Sequence, residues 1–123
     1  MRVLEISDDE AAAAYCGKLF RRAGVEVIRV ESPGRPPSVV SADIYLNGGK
    51  RRQSLDPSDP GHRAMLHAIA RSCDVLVTDR TVADIERFDL LDLGGAAPPV
   101  RLAITPFGLT GPYAGSDAAS IPD

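Results

Sequence analysis

Cysteine is scarce in this 123-residue sequence: Cys16 and Cys73 are the two present, far apart and without metal-ligand spacing around either. A disulfide framework and a zinc-finger pattern are therefore excluded, and two buried free thiols are expected. Long apolar runs are also missing. The chain opens directly on a strand-like RVLEI rather than on a basic segment followed by an apolar stretch. No signal peptide or membrane span is expected, and a cytoplasmic location follows as the default. Positive charge is in deficit, with 14 Lys and Arg against 17 Asp and Glu for a net charge of −3. That argues against a general nucleic-acid or membrane-surface binder, while leaving room for a local basic patch.

Three catalytic or nucleotide-binding signatures are absent too. The turn after the first strand reads SDDEAA, where a dinucleotide fold would carry G-x-G-x-x-G. Acidic side chains there repel a pyrophosphate rather than cradle it. No G-x-x-x-x-G-K-[ST] occurs, and no Ser, His and Asp set stands out by local motif. His62 and His67 lie at i,i+5, a poor shared face with no third ligand, and are expected to be surface helix residues.

What remains is ordinary globular material, 44% hydrophobic and 25% charged, enough for one domain with a modest core. Arg2–Ile6 reads as a strand. Ser7, Asp8 and Asp9 offer capping oxygens for a helix running to Ala23, closed by a left-handed Gly24. Val25–Val30 is a second strand, completing a strand–helix–strand unit. A proline-rich loop, ESPGRPPS, follows. Asp43–Leu46 then reads as a brief extended piece, Asn47-Gly48-Gly49 as a turn, and Gln53–Leu55 as the returning partner of a short hairpin. Ser58-Asp59-Pro60 starts another helix ending near Ser72, with Met65, Leu66, Ile69 and Ala70 on one face. Asp74–Thr78 is a third core strand, Val82–Phe88 a short helix and Val100–Thr105 a fourth strand.

Four strands in parallel alternation with helices predict an α/β fold, a Rossmann-like open parallel sheet with helices on both faces. Its covering helices are few, so the sheet is expected to be incomplete at its C-terminal end and to need further chain, its own or a partner's. Unprotected edges and exposed apolar area predict a homo-oligomer or a complementing subunit. Ligands of such sheets sit beyond the carboxyl ends of the strands, here Ser7–Glu10, Glu31–Gly34, Asp79-Arg80 and Pro106–Tyr113. Lys50-Arg51-Arg52, after a glycine turn, either pairs with phosphate oxygens or is a solvated charge run on a hairpin. Arg29, inside VIRV, either aims at a ligand or partner or snorkels from a sheet edge.

Four ordered landmarks carry a resemblance. GVEVIRVESPG (Gly24–Gly34), LNGGKRRQSLDPSDPGHR (Leu46–Arg63), CDVLVTDRTVA (Cys73–Ala83) and ITPFGLTGPYAG (Ile104–Gly115) cover essentially the whole chain. They resemble, in order, the amino-terminal part of the class III CoA-transferase family, which includes carnitine-CoA transferase-like, formyl-CoA transferase-like and α-methylacyl-CoA racemase-like enzymes. The resemblance implies that residues 1–123 are the amino-terminal portion of a CoA-binding large domain from an interlocked dimer. Within it, 31–58 would be a Pro/Gly-rich loop with the hairpin and 106–123 a glycine-rich loop and tail. Coenzyme A or acyl-CoA is the implied ligand, with no metal, nucleic acid or membrane. Arg29, Leu46, Asn47, Gly48, Gly49, Lys50, Arg51, Asp79 and Arg80 are the implied CoA-contacting residues. Phe107, Gly108, Gly111, Pro112 and Tyr113 are the implied active-site loop.

The departures are specific. Where the family shows an ENF-like motif, this chain has Thr78-Asp79-Arg80, so adenine packing and hydrogen bonding must change. The family's catalytic aspartate is expected beyond this chain's last residue. The implied function is the CoA-binding part of an acyl-CoA transferase that moves CoA between carboxylic acids, inactive as an isolated chain. A non-catalytic CoA-binding or assembly module, or a piece of a racemase-like enzyme, is the alternative.

Overall fold

The computed structural model describes residues 1–8, 11–34, 39–94 and 99–104. Strands β1 (Arg2–Ile6), β2 (Glu26–Glu31), β3 (Arg51–Ser54), β4 (Val75–Thr78) and β5 (Val100–Ala103) form one sheet in the order β3-β2-β1-β4-β5. Every pairing is parallel. Helices α1 (Ala11–Arg22), α2 (Val40–Asn47), α3 (Pro60–Arg71) and α4 (Val82–Arg87), with a 3₁₀ turn at Leu90–Asp92, lie between the strands. The Rossmann-like α/β expectation is met.

The hairpin expected between residues 43 and 55 is not there. Asp43–Leu46 belongs to α2, and Arg51–Ser54 runs parallel to β2, with Ile28 opposite Arg51 and Glu31 opposite Ser54. Val40, Ile44 and Tyr45 favour strands locally, but tertiary contact decides otherwise. Asn47 Nδ2 donates to Asp43 Oδ1 one helical turn back at 2.9 Å, and the Lys18 ammonium of α1 lies over the Tyr45 ring. Parallel pairing then makes α2 a crossover, and Gly48 N–H closes it on the Ile44 carbonyl.

Register sorts the sheet into two faces. Val3, Glu5, Val27, Arg29, Val75, Val77, Val100 and Leu102 alternate onto one, with α1 and α2. Leu4, Ile6, Ile28, Val30 and Leu76 point to the other, where they pack with Leu66 and Ala70 of α3, Ile85 of α4, Leu90 and Leu93. The two directions of crossover account for this. The β1–β2 and β2–β3 connections step one way across the sheet and β3–β4 and β4–β5 the other, so right-handed connections place their helices on opposite faces.

Local chemistry fixes the ends. Gly24 takes φ +86° after α1, where Val25 N–H reaches the Phe20 carbonyl across the helix end. Asp59 caps α3, accepting from Gly61 N–H at 2.8 Å and His62 N–H at 3.2 Å with Pro60 in the first turn. Met65, expected on the core face of α3, is exposed, while Leu66 and Ala70 are fully buried. The histidines are half-buried rather than surface residues. His62 Nδ1 accepts Asp56 N–H at 3.0 Å and His67 Nδ1 accepts Gly94 N–H at 3.3 Å, each tying a loop to α3. Cys73 is buried and Cys16 partly so, both as free thiols. No described helix is long and apolar enough to cross a membrane.

The cap gives a direct test. Asp59→Ala should lower stability by about 1 kcal/mol in urea unfolding, and Asp59→Asn by much less.

Candidate functional site

Glu5 sits at the centre of β1 with no exposure, on a sheet face that parallel packing ordinarily fills with aliphatic side chains. Arg29 lies directly opposite on β2 and donates through Nη1 to Glu5 Oε2. Lys50 Nζ, equally buried, donates to Glu5 Oε1 at 2.7 Å, Asn47 Oδ1 at 2.8 Å and the Ala14 carbonyl at 2.9 Å. From Asn47 the chain of contacts continues to Asp43, then to Arg52, which donates to both Asp43 oxygens at 2.8 and 2.9 Å. Arg52 Nε reaches Glu31 Oε1 at 2.8 Å, and Arg29 Nε meets the same oxygen at 2.7 Å. The ring is closed. Three carboxylates (Glu5, Glu31, Asp43) balance three cations (Arg29, Lys50, Arg52), and together they lace β1, β2, β3, α1 and α2.

Burial drags the Lys50 ammonium below the ordinary lysine range, opposed by the Glu5 carboxylate. Hydrogen bonds from Arg52 hold Asp43 below the usual carboxylate range against its own burial, Asn47 adding to them. The ring also explains Gly17 in the middle of α1. A Cβ built there would overlap Glu5 Oε1 and come within 3.0 Å of Lys50 Nζ. Only glycine lets α1 pass over the carboxylate.

Two of the residues expected at a phosphate, Arg29 and Lys50, thus have their charge absorbed inside the protein, with side-chain exposures of 2% and 0%. Asn47 is buried beside them; Leu46 is partly buried, and Gly48 and Gly49 are open. Arg51 is exposed and pairs with Glu26 at 2.8 Å. Leu46 and Asn47 end α2, Gly48–Lys50 lead into β3 and Arg51 opens it, at the amino end of that strand, where Arg21 Nε of α1's last turn donates to the Gly49 carbonyl at 3.0 Å.

Asp79 and Arg80 are at the opposite end. They follow β4, next to β1 in the sheet and beside the start of α1, at the point where strand order reverses. Asp79 meets the first turn of α1 and the Gly49 carbonyl meets its last, while the Lys50 side chain reaches back to the Ala14 carbonyl and Arg29 Nη2 donates to the Asp8 carbonyl, joining the ion-pair ring to this cluster. Asp79 Oδ2 accepts Ala13 N–H at 2.9 Å in the first turn of α1, while its Oδ1 is buried with no partner among the described residues. Asp8 turns to Ser32, accepting its N–H at 2.8 Å and its hydroxyl at 3.0 Å. Arg80 completes the cluster, with Nη1 at 3.1 Å from Ser32 Oγ and 3.2 Å from Asp8 Oδ2, and Nε at 3.1 Å from Asp84 Oδ2. Phe107, Gly108, Gly111, Pro112 and Tyr113 lie outside the described residues. No group of three or more metal-ligating side chains occurs among those described.

Glu5 and Gly17 were legible as anomalies: an acid inside RVLEI, an arginine at the equivalent place in VIRV, and a glycine in mid-helix. Parallel register of a strand–helix–strand unit puts the first two opposite each other. Ser32 lies within the Glu31–Gly34 stretch expected beyond a strand's carboxyl end, whereas the residues after β3, Leu55–Ser58, follow a carboxyl end only once β3 is recognised as a parallel strand.

Gly17→Ala should destabilise the chain by several kcal/mol, because the displaced partner is a buried carboxylate; thermal unfolding reads this. Lys50→Ala should cost about 3 kcal/mol by leaving the buried Glu5 Oε1 without its cation, Arg29 still holding Oε2. For Asp43 the depressed value means that its contribution is complete above the ordinary aspartate range and is lost as pH falls through its folded value. Stability of the wild type should therefore fall more steeply below about pH 4 than that of Asp43→Asn, measured by urea titration across pH.

The profile of CoA-transferase family III matches residues 1–120. Succinyl-CoA:(R)-benzylsuccinate CoA-transferase subunit BbsE of Thauera aromatica is 31% identical over 123 residues, covering 84% of this chain and 30% of that protein. Succinate–glutarate CoA-transferase of Agrobacterium fabrum is 30% identical over 134 residues, covering 93% and 33%. A CaiB/BaiF family protein from Brucella suis superposes with a TM-score of 0.79 at 24% identity, over 94% of this chain and 35% of that one, a likeness of fold. The chain thus spans about a third of the length of these relatives. Matched along nearly its whole length and folded as its relatives are, the chain belongs to CoA-transferase family III.

Proposed function

We propose that this chain is the CoA-recognising portion of a family III acyl-CoA transferase, an enzyme that moves CoA between carboxylic acids, with the ligand seated at the carboxyl ends of β1, β2 and β4. Family membership supports the ligand class, and the reversal of strand order between β1 and β4 supports the place. Arg80 is the cation offered there, poised between Asp8, Asp84 and Ser32, and its planar guanidinium suits a phosphate. Binding exchanges those carboxylate contacts for phosphate contacts. Ser32 supplies a hydroxyl to the same pocket. Arg29, Lys50 and Asn47 act as the frame, setting β2 and β3 against β1 so that their carboxyl ends converge. Asp79 holds the first turn of α1.

No residue here is assigned the attack on a thioester, which needs a nucleophilic carboxylate held against the acyl carbon. Turnover is accordingly a property of a larger assembly. The isolated chain is a binding unit.

Calorimetric titration with coenzyme A tests the reading. Binding should be saturable, and Arg80→Ala should weaken it tenfold or more, at roughly the worth of a charge-assisted hydrogen bond. Arg51→Ala, at the far end of the sheet, should change it less than about twofold. The reverse pattern would move the site to the Leu46–Arg51 loop. A folded chain that binds no coenzyme A sinks the proposal.

A further inference from the structure

The Asp8 carboxylate gathers three hydrogen-bond donors. Ser32 gives it the backbone N–H, to Oδ1 at 2.8 Å, and the hydroxyl, to Oδ2 at 3.0 Å, while Arg80 Nη1 lies 3.2 Å from the same Oδ2. The donors stand at the carboxyl ends of β2 and β4, and the acid at that of β1, which runs between them. Ser32 Oγ also accepts from Arg80 Nη1 at 3.1 Å, so its own proton is directed to the acid. A backbone amide, a hydroxyl and a guanidinium converging on one anion are the donors that proteins offer to a phosphate. Here the anion is a side chain of the same chain, 8% exposed.

The neighbours decide what moves. Arg29 Nη2 donates to the Asp8 carbonyl, so the backbone is held and the side chain alone is left to turn away. Asp84 takes the opposite edge of the Arg80 guanidinium, its Oδ2 lying 3.1 Å from both Nε and Nη2. That contact keeps Nη1 aimed at Ser32 whether or not Asp8 is in place. Of the two carboxylates on Arg80, a ligand therefore replaces Asp8 and leaves Asp84.

Charge decides which ligand group succeeds. Among the described residues, Asp8 and Asp84 share this one guanidinium, and a weak anion finds no positive charge to spare. A pyrophosphate carries roughly one charge per phosphorus, no more than Asp8, which is tethered beside its donors and loses no translational freedom in meeting them. A phosphate monoester carries nearly two charges at neutral pH and offers three free oxygens, enough for all three donors. Coenzyme A has a single such group, the 3′-phosphate of its ribose.

We infer that Asp8 is an internal stand-in for a phosphate monoester, and that the group displacing it is the 3′-phosphate of coenzyme A, held by Arg80 Nη1 and by the N–H and hydroxyl of Ser32. The inference rests on the assignment of this crevice to coenzyme A. Asp8 sets a threshold: a ligand without the monoester leaves it seated and gains nothing from Ser32 or Arg80 Nη1.

The test is calorimetric titration with coenzyme A and with dephospho-coenzyme A, which lacks the 3′-phosphate alone. Coenzyme A should bind tenfold or more tightly, at roughly the worth of a charge-assisted hydrogen bond. Asp8→Asn removes the competing charge at nearly constant size. It should tighten coenzyme A binding about tenfold and change that of dephospho-coenzyme A less than about twofold. Ser32→Ala should erase most of the preference. Inorganic phosphate should weaken coenzyme A binding and leave the dephospho ligand untouched. The comparison of ligands on the wild-type chain stands even where a variant fails to fold. Equal affinity for the two ligands, or a folded Asp8→Asn chain that binds coenzyme A no better, overturns the role of Asp8 while leaving the coenzyme A site. Inorganic phosphate bound as tightly as coenzyme A makes the seat one for free phosphate and overturns the 3′-phosphate assignment. A folded wild-type chain that binds neither nucleotide overturns the coenzyme A site and this inference with it.

Discussion

The structure depends on a carboxylate where a hydrocarbon would ordinarily be. Glu5, wholly buried in the central strand, is costly there unless cations and hydrogen-bond donors meet both oxygens. Arg29 meets one and Lys50 the other. Each of those cations brings further demands, since a buried ammonium has three protons to place and a guanidinium five. The Ala14 carbonyl, Asn47, Glu31 and the Asp8 carbonyl supply those partners. A single acidic side chain thus fixes the registry of three strands and two helices. Such a network is a weak source of net stability, because desolvation opposes the Coulomb attraction, but it is unforgiving of change at any one member.

The same ring engages the positive charges of Arg29, Lys50 and Arg52. A cluster of Lys and Arg after a glycine turn suggests a phosphate, and sequence separation conceals the acids that reach it from other elements. Lys50 is neutralised by a residue 45 positions away and Arg52 by Glu31 and Asp43. At the carboxyl ends of the strands, beside the opening of α1, Arg80 shares Asp8 and Ser32. The two ends of α1 consequently have different work: its last turn anchors the Gly49 loop, and its first turn donates the Ala13 N–H to the Asp79 carboxylate in the place that many α/β folds reserve for a bound anion.

Asymmetry of the sheet's two flanks completes the picture. The β3 edge is armoured with arginines paired to acids on neighbouring elements, while β5 carries bare valine and leucine toward the α1 face. One sheet thus carries a polar edge and an exposed aliphatic strand, in a chain about a third as long as these relatives.

Sequence alone determined the strands β1, β2, β4 and β5, the helices α1, α3 and α4, the Asp59-Pro60 start and the Gly24 stop, because hydrophobic period and capping chemistry are local. The family, too, was legible, in four ordered landmarks. Only the tertiary structure decided that residues 40–47 are helical, that Arg51–Ser54 pairs parallel with β2, and that Arg29 and Lys50 point inward to Glu5. Those outcomes turn on partners distant along the chain. The strand preference of Val40, Ile44 and Tyr45 is worth a fraction of a kcal/mol per residue, and packing against α1 outweighs it. The direction of a charged side chain is set by the nearest opposite charge in space, and register, which no local pattern contains, is what places that charge.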